Sequence, residues 1–296
     1  MYNKLYVLFE RKGYIPMRAV YIYPNPQREA CIKMARQLYA QLTDLGASAW
    51  ISDCCKNLLP DLPFAPPTFA DIALVLGGDG TILRCAEEVL DLSIPILGIN
   101  MGTLGYMSDL SPHELADSLT HILCGDLHVE RRAVIAGTVS DGDSHPLLTF
   151  RAVNDITLFR GDYSGLTHTA VSINGTYIDT YHADGVLVST PNGSTAYNFS
   201  AGGPIVNPAA RNMILTPICC HSLLSRSIVL ATEDTVQLTP ISGEFPQLAA
   251  DGMKIKLPEN AVTLEVSLSE TPFLLARLKA SNFYDVLRKK MVPSYE

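Results

Sequence analysis

The chain has 296 residues, 47% of them hydrophobic, with 22 Lys and Arg against 30 Asp and Glu for a net charge of −8. That length suffices for two domains with separate cores. The acidic balance argues against a nucleic-acid partner, yet it leaves room for one small phosphorylated ligand held by backbone N–H groups and a metal ion.

Residues 1–14 include Lys4, Glu10, Arg11 and Lys12, so no apolar signal-peptide core is expected there. Ala19-Val20-Tyr21-Ile22-Tyr23 is a short apolar run expected to be a buried strand. Asn25-Pro26 then offers an N-cap with proline at the first helical position. Cys31, Met34, Leu38, Leu42 and Leu45 follow at helical spacing, with Gly46 at the expected C-terminal glycine position. A second run, Ile72 to Leu76, enters Gly77-Gly78-Asp79-Gly80-Thr81, after which Ile82, Leu83, Ala86, Val89 and Leu90 resume helical spacing. A third run, Ile94 to Ile99, ends at Asn100-Met101-Gly102, and Ser111-Pro112-His113-Glu114 reads as a capping box opening a helix to about Cys124. Apolar strands alternating with helices predict a parallel sheet covered on both faces.

From about Leu127 to about residue 275 the pattern changes to two-residue alternation with turn residues between. Asn174-Gly175 and Asp251-Gly252 each separate two short strand-like runs, a strong hairpin signal. Ser227 to Leu238 and Ala261 to Leu268 also read as strands. Met213 to Ala231 is interrupted by His221 and Arg226, so it is too polar for a membrane span. Phe283, Val286, Leu287 and Met291 form a helical stripe with Arg288, Lys289 and Lys290 in the last turns. The expected fold is a Rossmann-like α/β domain, then a β-rich, sandwich-like domain, with a C-terminal helix returning to the first. The expected boundaries are residues 1–126 with the tail 277–296, and residues 127–276. Seven cysteines, with adjacent pairs at Cys54/Cys55 and Cys219/Cys220, have no C-x-x-C or zinc-type spacing. They read as reduced thiols of a soluble cytoplasmic protein.

Two stretches carry chemistry. In Gly77 to Thr81 a strand, a glycine-rich turn and a helix N-terminus make a ready phosphate site. Asp79 would repel phosphate unless it accepts a proton from an attacking hydroxyl or helps to hold Mg²⁺; the alternative is a tight turn whose Asp caps the helix. The loop is neither a Walker A sequence nor the G-x-G-x-x-G fingerprint. Asp184 to Pro204 crowds Ser, Thr, Gly and Tyr197 after an apolar run, as polar donors around a ligand with an aromatic ring to stack on a base. A well-ordered surface loop of hydroxyl caps is the alternative there.

Gly77 to Thr81, Asn154-Asp155, and Asp184 to Pro204, in this order, resemble the pattern of the NAD kinase family. Gly98 to Tyr106 and Phe283 to Lys290 are also similar to family segments, so the resemblance runs from about residue 71 to the end. It implies an α/β domain and a β-rich domain with NAD bound between them. It also implies transfer of the terminal phosphoryl group of ATP, or of polyphosphate, to the 2′-hydroxyl of the adenosine ribose, making NADP. By the same resemblance Asp79 is the general base, and Gly78 and Gly80 flank it on the phosphate-contacting loop. Asn154, Asp155, Asp184 and the run Thr195, Ala196, Tyr197, Asn198, Phe199 and Ser200 contact the dinucleotide. The expected cofactor is a divalent metal ion, Mg²⁺, on the donor phosphates. A homodimer or homotetramer with sites near subunit interfaces is implied, with no nucleic acid or membrane as partner. Four positions depart from the family pattern: Asp155 for Glu, His182 for Arg, Asn192 for Thr and Met253 for Gln. His182 is retained as a candidate contact, although a lone His at a strand end is as readily a surface residue. A diacylglycerol-type lipid kinase sharing the loop, and a non-catalytic NAD or NADP sensor, are the competing readings.

Overall fold

The computed structural model describes residues 16–102, 105–160, 165–221, 226–241, 246–278 and 283–291. Residues 1–14 and Thr103-Leu104, which figured in the sequence reading, lie outside the described residues. The chain divides into two compact units, one formed by the residues up to Arg131 together with those from Phe273 onward, the other by Arg132–Pro272.

The first unit holds β1 (Ala19–Pro24), α1 (Glu29–Asp44), β2 (Ser48–Ile51), β3 (Ile72–Gly77), α2 (Asp79–Val89), β4 (Ile96–Asn100), β5 (Ser108–Leu110), α3 (Pro112–Leu123) and β6 (His128–Arg132). A late strand, Phe273–Arg277, inserts between β4 and β6, giving the order β2-β1-β3-β4-(273–277)-β6, with β5 also paired to β4. The pairs β1/β2, β1/β3, β3/β4 and β4/β5 are parallel. Every residue of β3 is buried, which is why its sequence is a continuous apolar run rather than an alternation. α1 buries Cys31, Ala35, Leu38 and Leu42 on one stripe, and Gly46 closes it at φ 78°, a left-handed conformation that costs glycine little.

The start of α1 differs from expectation. Arg28, in extended conformation, precedes the first helical residue Glu29. Asn25 instead continues out of β1: its N–H donates to the Leu76 carbonyl at 2.9 Å, and its side-chain amide donates to Thr81 Oγ1 at 3.2 Å. Its side-chain oxygen accepts the Gln27 N–H at 3.0 Å, so Asn25 opens a turn ahead of the helix rather than capping it. At α3 the capping box forms, with the Ser111 N–H donating to Glu114 Oε2 at 3.0 Å.

The second unit comprises β7 (Ile135–Ser140), β8 (Pro146–Ala152), β9 (Asp155–Phe159), β10 (Thr167–Ile173), β11 (Thr176–Ala183), β12 (Gly185–Ser189), the short α4 (Tyr197–Ser200), β13 (Met213–Ile218), β14 (Ile228–Leu230), β15 (Val236–Pro240), β16 (Gln247–Ala250), β17 (Met253–Ile255) and β18 (Thr263–Leu268). Two six-stranded sheets result, ordered β11-β10-β15-β18-β7-β8 and β14-β13-β12-β9-β16-β17. Ile135, Val139, Val171, Leu238 and Val266 of the first share one core with Leu158, Val186, Val188 and Leu215 of the second. Each such side chain contributes about 1.5–3 kcal/mol by leaving water. Both hairpins read from sequence form, with φ of 51° at Asn174 and 49° at Asp251, each followed by a positive-φ glycine. The single strand expected over Ser227 to Leu238 is in fact two. A turn, in which the Ala231 N–H donates to Asp234 Oδ2 at 2.7 Å, separates β14 from β15. The break is required because β14 pairs with β13 in one sheet and β15 with β10 and β18 in the other.

The chain ends with β19 (Phe273–Arg277) and α5 (Phe283–Met291) in the first unit. α5 returns to Tyr106: the Phe283 ring lies 6.4 Å from that ring and Lys290 Nζ sits 4.1 Å above it, a cation–π contact.

Candidate functional site

In the first unit β3 delivers the glycine-rich turn directly onto the N-terminus of α2, with Gly78 as the preceding extended residue and Asp79 as the first helical one. The turn is closed by the Thr81 N–H donating to the Gly78 carbonyl at 2.9 Å. The helix N-terminus presents backbone N–H groups and the positive end of its dipole there. Gly80 is exposed and Gly78 half-buried. The half-buried Asp79 carboxylate is fixed by a neighbouring segment: Oδ2 accepts the Tyr106 N–H at 2.8 Å and Oδ1 the Met107 N–H at 3.1 Å. Gly105 makes this seat possible, since a Cβ there would lie 2.1 Å from Asp79 Oδ1.

That segment is itself anchored by Arg277 at the end of β19, whose side chain is 4% exposed. Its guanidinium donates to the Tyr106 carbonyl at 3.0 Å and pairs with Asp109 at 3.4 Å and Glu130 at 3.2 Å, while the Leu278 N–H donates to Asp109 Oδ2 at 2.7 Å. The Asp79 carboxylate is therefore oriented by backbone donors that a buried, charge-satisfied arginine holds in place.

In the second unit Asn154 and Asp155 sit where β8 passes into β9. The Asn154 carbonyl accepts the Thr190 N–H at 2.8 Å, and its side-chain oxygen accepts from Asn192 Nδ2 at 2.7 Å. Gly193 crosses so closely that a Cβ would meet the Asn154 carbonyl oxygen at 2.1 Å. Asp251, in the β16–β17 turn, accepts the N–H groups of Val153, Asn154 and Asp155 at 2.9, 2.7 and 3.2 Å. The Asp251 N–H returns a bond to the Asp155 carbonyl at 2.9 Å. Asp155 is 6% exposed, and burial followed by the adjacent Asp251 charge pushes its carboxyl up to about 7, against a bond from Thr157. Asn154, Asp155, Tyr197 and Asp251 line a cavity of about 380 Å³, together with Thr157, Phe159, Ala196, Ala249 and Gly252. The volume falls within the range of small-ligand sites.

Similarity to known proteins agrees with this chemistry. Residues 56–127 match the ATP-NAD kinase N-terminal domain and residues 153–278 the ATP-NAD kinase C-terminal domain. The NAD kinase of Caldanaerobacter subterraneus subsp. tengcongensis is 34% identical over 282 residues, covering 93% of this chain and 99% of that protein. The chain belongs to the NAD kinase family. The enzyme is accordingly a transferase that phosphorylates NAD to NADP. The NAD kinase of Moorella thermoacetica is 40% identical over 223 residues, 75% of this chain and 71% of that one. Among solved structures, an Archaeoglobus fulgidus NAD kinase in complex with ATP superposes with a TM-score of 0.72 at 25% identity, covering 93% of this chain and 98% of that one. Yeast NADH kinase complexed with NADH gives 0.83 at 24%, covering 94% and 88%, a likeness of fold.

Within this NAD kinase fold, Asn154, Asp155, Ala196 and Tyr197 meet at one cavity. Gly78, Asp79 and Gly80 lie on the loop of the first unit. The remaining sequence candidates are distributed otherwise. Asn198 is fully buried; its amide donates to the Ser194 and Pro204 carbonyls at 3.2 and 3.0 Å and accepts from Thr216 at 2.8 Å. It braces the loop rather than lining the cavity. Thr195 is half-buried, and Phe199 and Ser200 are exposed beside it. Asp184 pairs with Arg160 at 3.3 Å. His182 is an exposed β11 residue whose ring lies 4.4 Å from that of His168 on β10. Asn192, the Thr replacement, keeps a polar role through its bond to Asn154.

Sequence reasoning missed three contributors: Asp251, Arg277 and the Tyr106–Met107 backbone. Asp251 carried a signal of its own, an acceptor side chain in a tight turn, but it was read only as turn chemistry. Nothing in the pattern around Arg277 marked it.

Proposed function

We propose that the phosphoryl donor is ATP, with polyphosphate as a second candidate, and that Asp79 serves the acceptor ribose. In this reading the backbone of Gly77 to Gly80 and the α2 N-terminus hold the donor phosphates. Asp79 orients the 2′-hydroxyl of the adenosine ribose of NAD and takes its proton late, as the bond between the β-phosphate oxygen and the γ-phosphorus breaks. Positioning and charge neutralisation matter more than base strength in so loose a transition state. Asn154 and Asp155 bind dinucleotide hydroxyl and amide groups, Tyr197 stacks on a ring, and Asp184 with Thr195 to Ser200 shapes the surrounding loop.

The observation that carries the reading is the Asp79 carboxylate at the mouth of α2, aimed by two backbone N–H groups. Each of its oxygens accepts one such bond, and a carboxylate oxygen takes two partners, so Asp79 also fits one position on Mg²⁺. An ion held there would supply charge neutralisation to the donor phosphates. A homodimer or homotetramer is supported by the exposed Tyr197 and Phe199, 44% and 49% accessible beside the cavity, which a neighbouring subunit would cover. A cytoplasmic location is supported by the seven free thiols. Among the described residues no helix is long and apolar enough to cross a membrane.

The test is purified full-length protein with NAD, Mg²⁺ and ATP, coupled to an NADP-specific dehydrogenase, and repeated with polyphosphate. NADP formation with ATP supports the donor assignment. Formation with polyphosphate alone overturns it, and formation with neither overturns the reading of the loop.

A further inference from the structure

Cys54 and Cys55 stand outside the machinery described above. They share a single helical turn, Asp53–Cys55, directly after β2. Their sulfurs are 3.6 Å apart, one residue exposed and the other buried. Both thiols donate to the same buried carbonyl, that of Pro24, at 3.9 Å from Cys54 and 3.6 Å from Cys55. Pro24 ends β1, and the next residue, Asn25, donates its side-chain amide to Thr81 Oγ1 at 3.2 Å. Thr81 is the last residue of the glycine-rich loop, so two hydrogen bonds and the Pro24–Asn25 peptide link join the dithiol to it.

We propose that Cys54 and Cys55 are a hydroperoxide-sensing dithiol whose closure to a disulfide disturbs the phosphate loop through Pro24, Asn25 and Thr81. The Cys54 sulfur attacks the peroxide O–O bond, which breaks to release an alcohol or water and leaves Cys54 as the sulfenic acid. The Cys55 sulfur then displaces that hydroxyl as water, taking up the Cys55 proton, and the S–S bond forms. The two thiols lose two electrons and the peroxide gains them.

Several features favour this over inert thiols. Contact with the Cys55 thiol brings Cys54 down to about 7 against burial and the Glu88 carboxylate, while the same contact and burial hold Cys55 above the ordinary range. The attacking thiol is thus the exposed one and the resolving thiol lies beside it. Adjacent Cα atoms are only about 3.8 Å apart, shorter than a relaxed disulfide spans, so the closed bond is strained and readily reduced, as a reversible switch requires. Closing it also removes both S–H donors from the buried Pro24 carbonyl, a loss felt at the end of β1.

The experiment exposes full-length protein to hydrogen peroxide at neutral pH, blocks free thiols with iodoacetamide and measures peptide mass and the rate of NAD phosphorylation. The expected product is a Cys54–Cys55 peptide lighter by about 2 Da and closed to alkylation. The rate should fall by about tenfold, the scale of a small misplacement in a positioned loop, and dithiothreitol should restore both. Cys55→Ser should yield a Cys54 sulfenic acid trapped by dimedone, and Cys54→Ser should make the rate indifferent to peroxide. If both thiols still alkylate after peroxide, no dithiol switch exists. Equal inactivation of Cys54→Ser would move the effect elsewhere, to Cys219 and Cys220 for example, and overturn the proposal. A lighter peptide with an unchanged rate would overturn the coupling to the loop. The mass reading stands whether or not the donor assignment does.

Discussion

Asp79 stands half-buried at the mouth of α2, each carboxylate oxygen accepting one backbone N–H. Asp155, in the other unit, is almost fully buried beside the Asp251 carboxylate, with one bond of 3.4 Å from Thr157. In the first case the surroundings fix where a carboxylate points. In the second they fix when it carries a proton: burial and the neighbouring charge hold it near the edge of neutrality. Asp251 adds its charge to that burial while accepting three backbone N–H bonds, so one side chain seats the Asn154–Asp155 corner and contributes to its electrostatics.

Four changes test this contrast. Asp79→Asn keeps the size and removes the proton acceptor; turnover should fall about 10²- to 10⁴-fold with the KM for NAD little changed. Steady-state assay decides it, and near-normal turnover would break the assignment.

Asp155→Asn should act on pH dependence. The folded carboxyl at about 7 lies above the ordinary aspartate value of 3.8, so the folded state binds more protons than the unfolded one between those values. Wild-type stability contributed by this group is therefore present at low pH and lost as pH rises toward 7, by up to about 4 kcal/mol. Urea unfolding at pH 5 and 8 should show about 2–3 kcal/mol of that loss in the wild type, and not in the variant.

Gly105→Ala places a methyl against Asp79 Oδ1 and should lower turnover by roughly 10²-fold, the cost of displacing a positioned group. The fold should survive, as read by circular dichroism; unaltered turnover would show that the carboxylate needs no such seat.

The smallest effect is expected from Asp251→Asn. The change removes the neighbouring charge and turns an amide NH2 toward the Val153 N–H, so the KM for NAD should rise, and the pH dependence that Asp155 gives it near pH 7 should move toward acid by about one pH unit. An unmoved inflection would mean that burial alone controls Asp155.

Much of the fold was legible because its signals are local. β3 and α2 announced themselves by a buried apolar run, a glycine turn and a 3.6-residue stripe, and Asn174-Gly175 by its requirement for positive φ. The same local logic misread Asn25 and the stretch from Ser227 to Leu238. Asn25 spends its acceptor on the Gln27 N–H of a turn ahead of the helix, while its N–H and side-chain amide reach Leu76 and Thr81. The apolar stretch is cut because its halves belong to different sheets. Site residues followed the same division. Asn154, Asp155 and Tyr197 sit in or beside conspicuous motifs, whereas Asn198 looks like its neighbours in sequence and is turned inward by Ser194, Pro204 and Thr216.

By itself the sequence determined the two kinds of architecture, the glycine-rich loop with its carboxylate, and membership of a kinase family, since these depend on spacing and residue identity within short windows. Only the tertiary structure decided how Asp79 is aimed, why Asp155 titrates where it does, and which polar side chains face a cavity. Those properties arise from partners far along the chain: Asp251 lies 97 residues from the Asn154 N–H it accepts, and Arg277 lies 171 from the Tyr106 carbonyl. Backbone donors, burial and like-charge proximity act through space, and no local pattern encodes them.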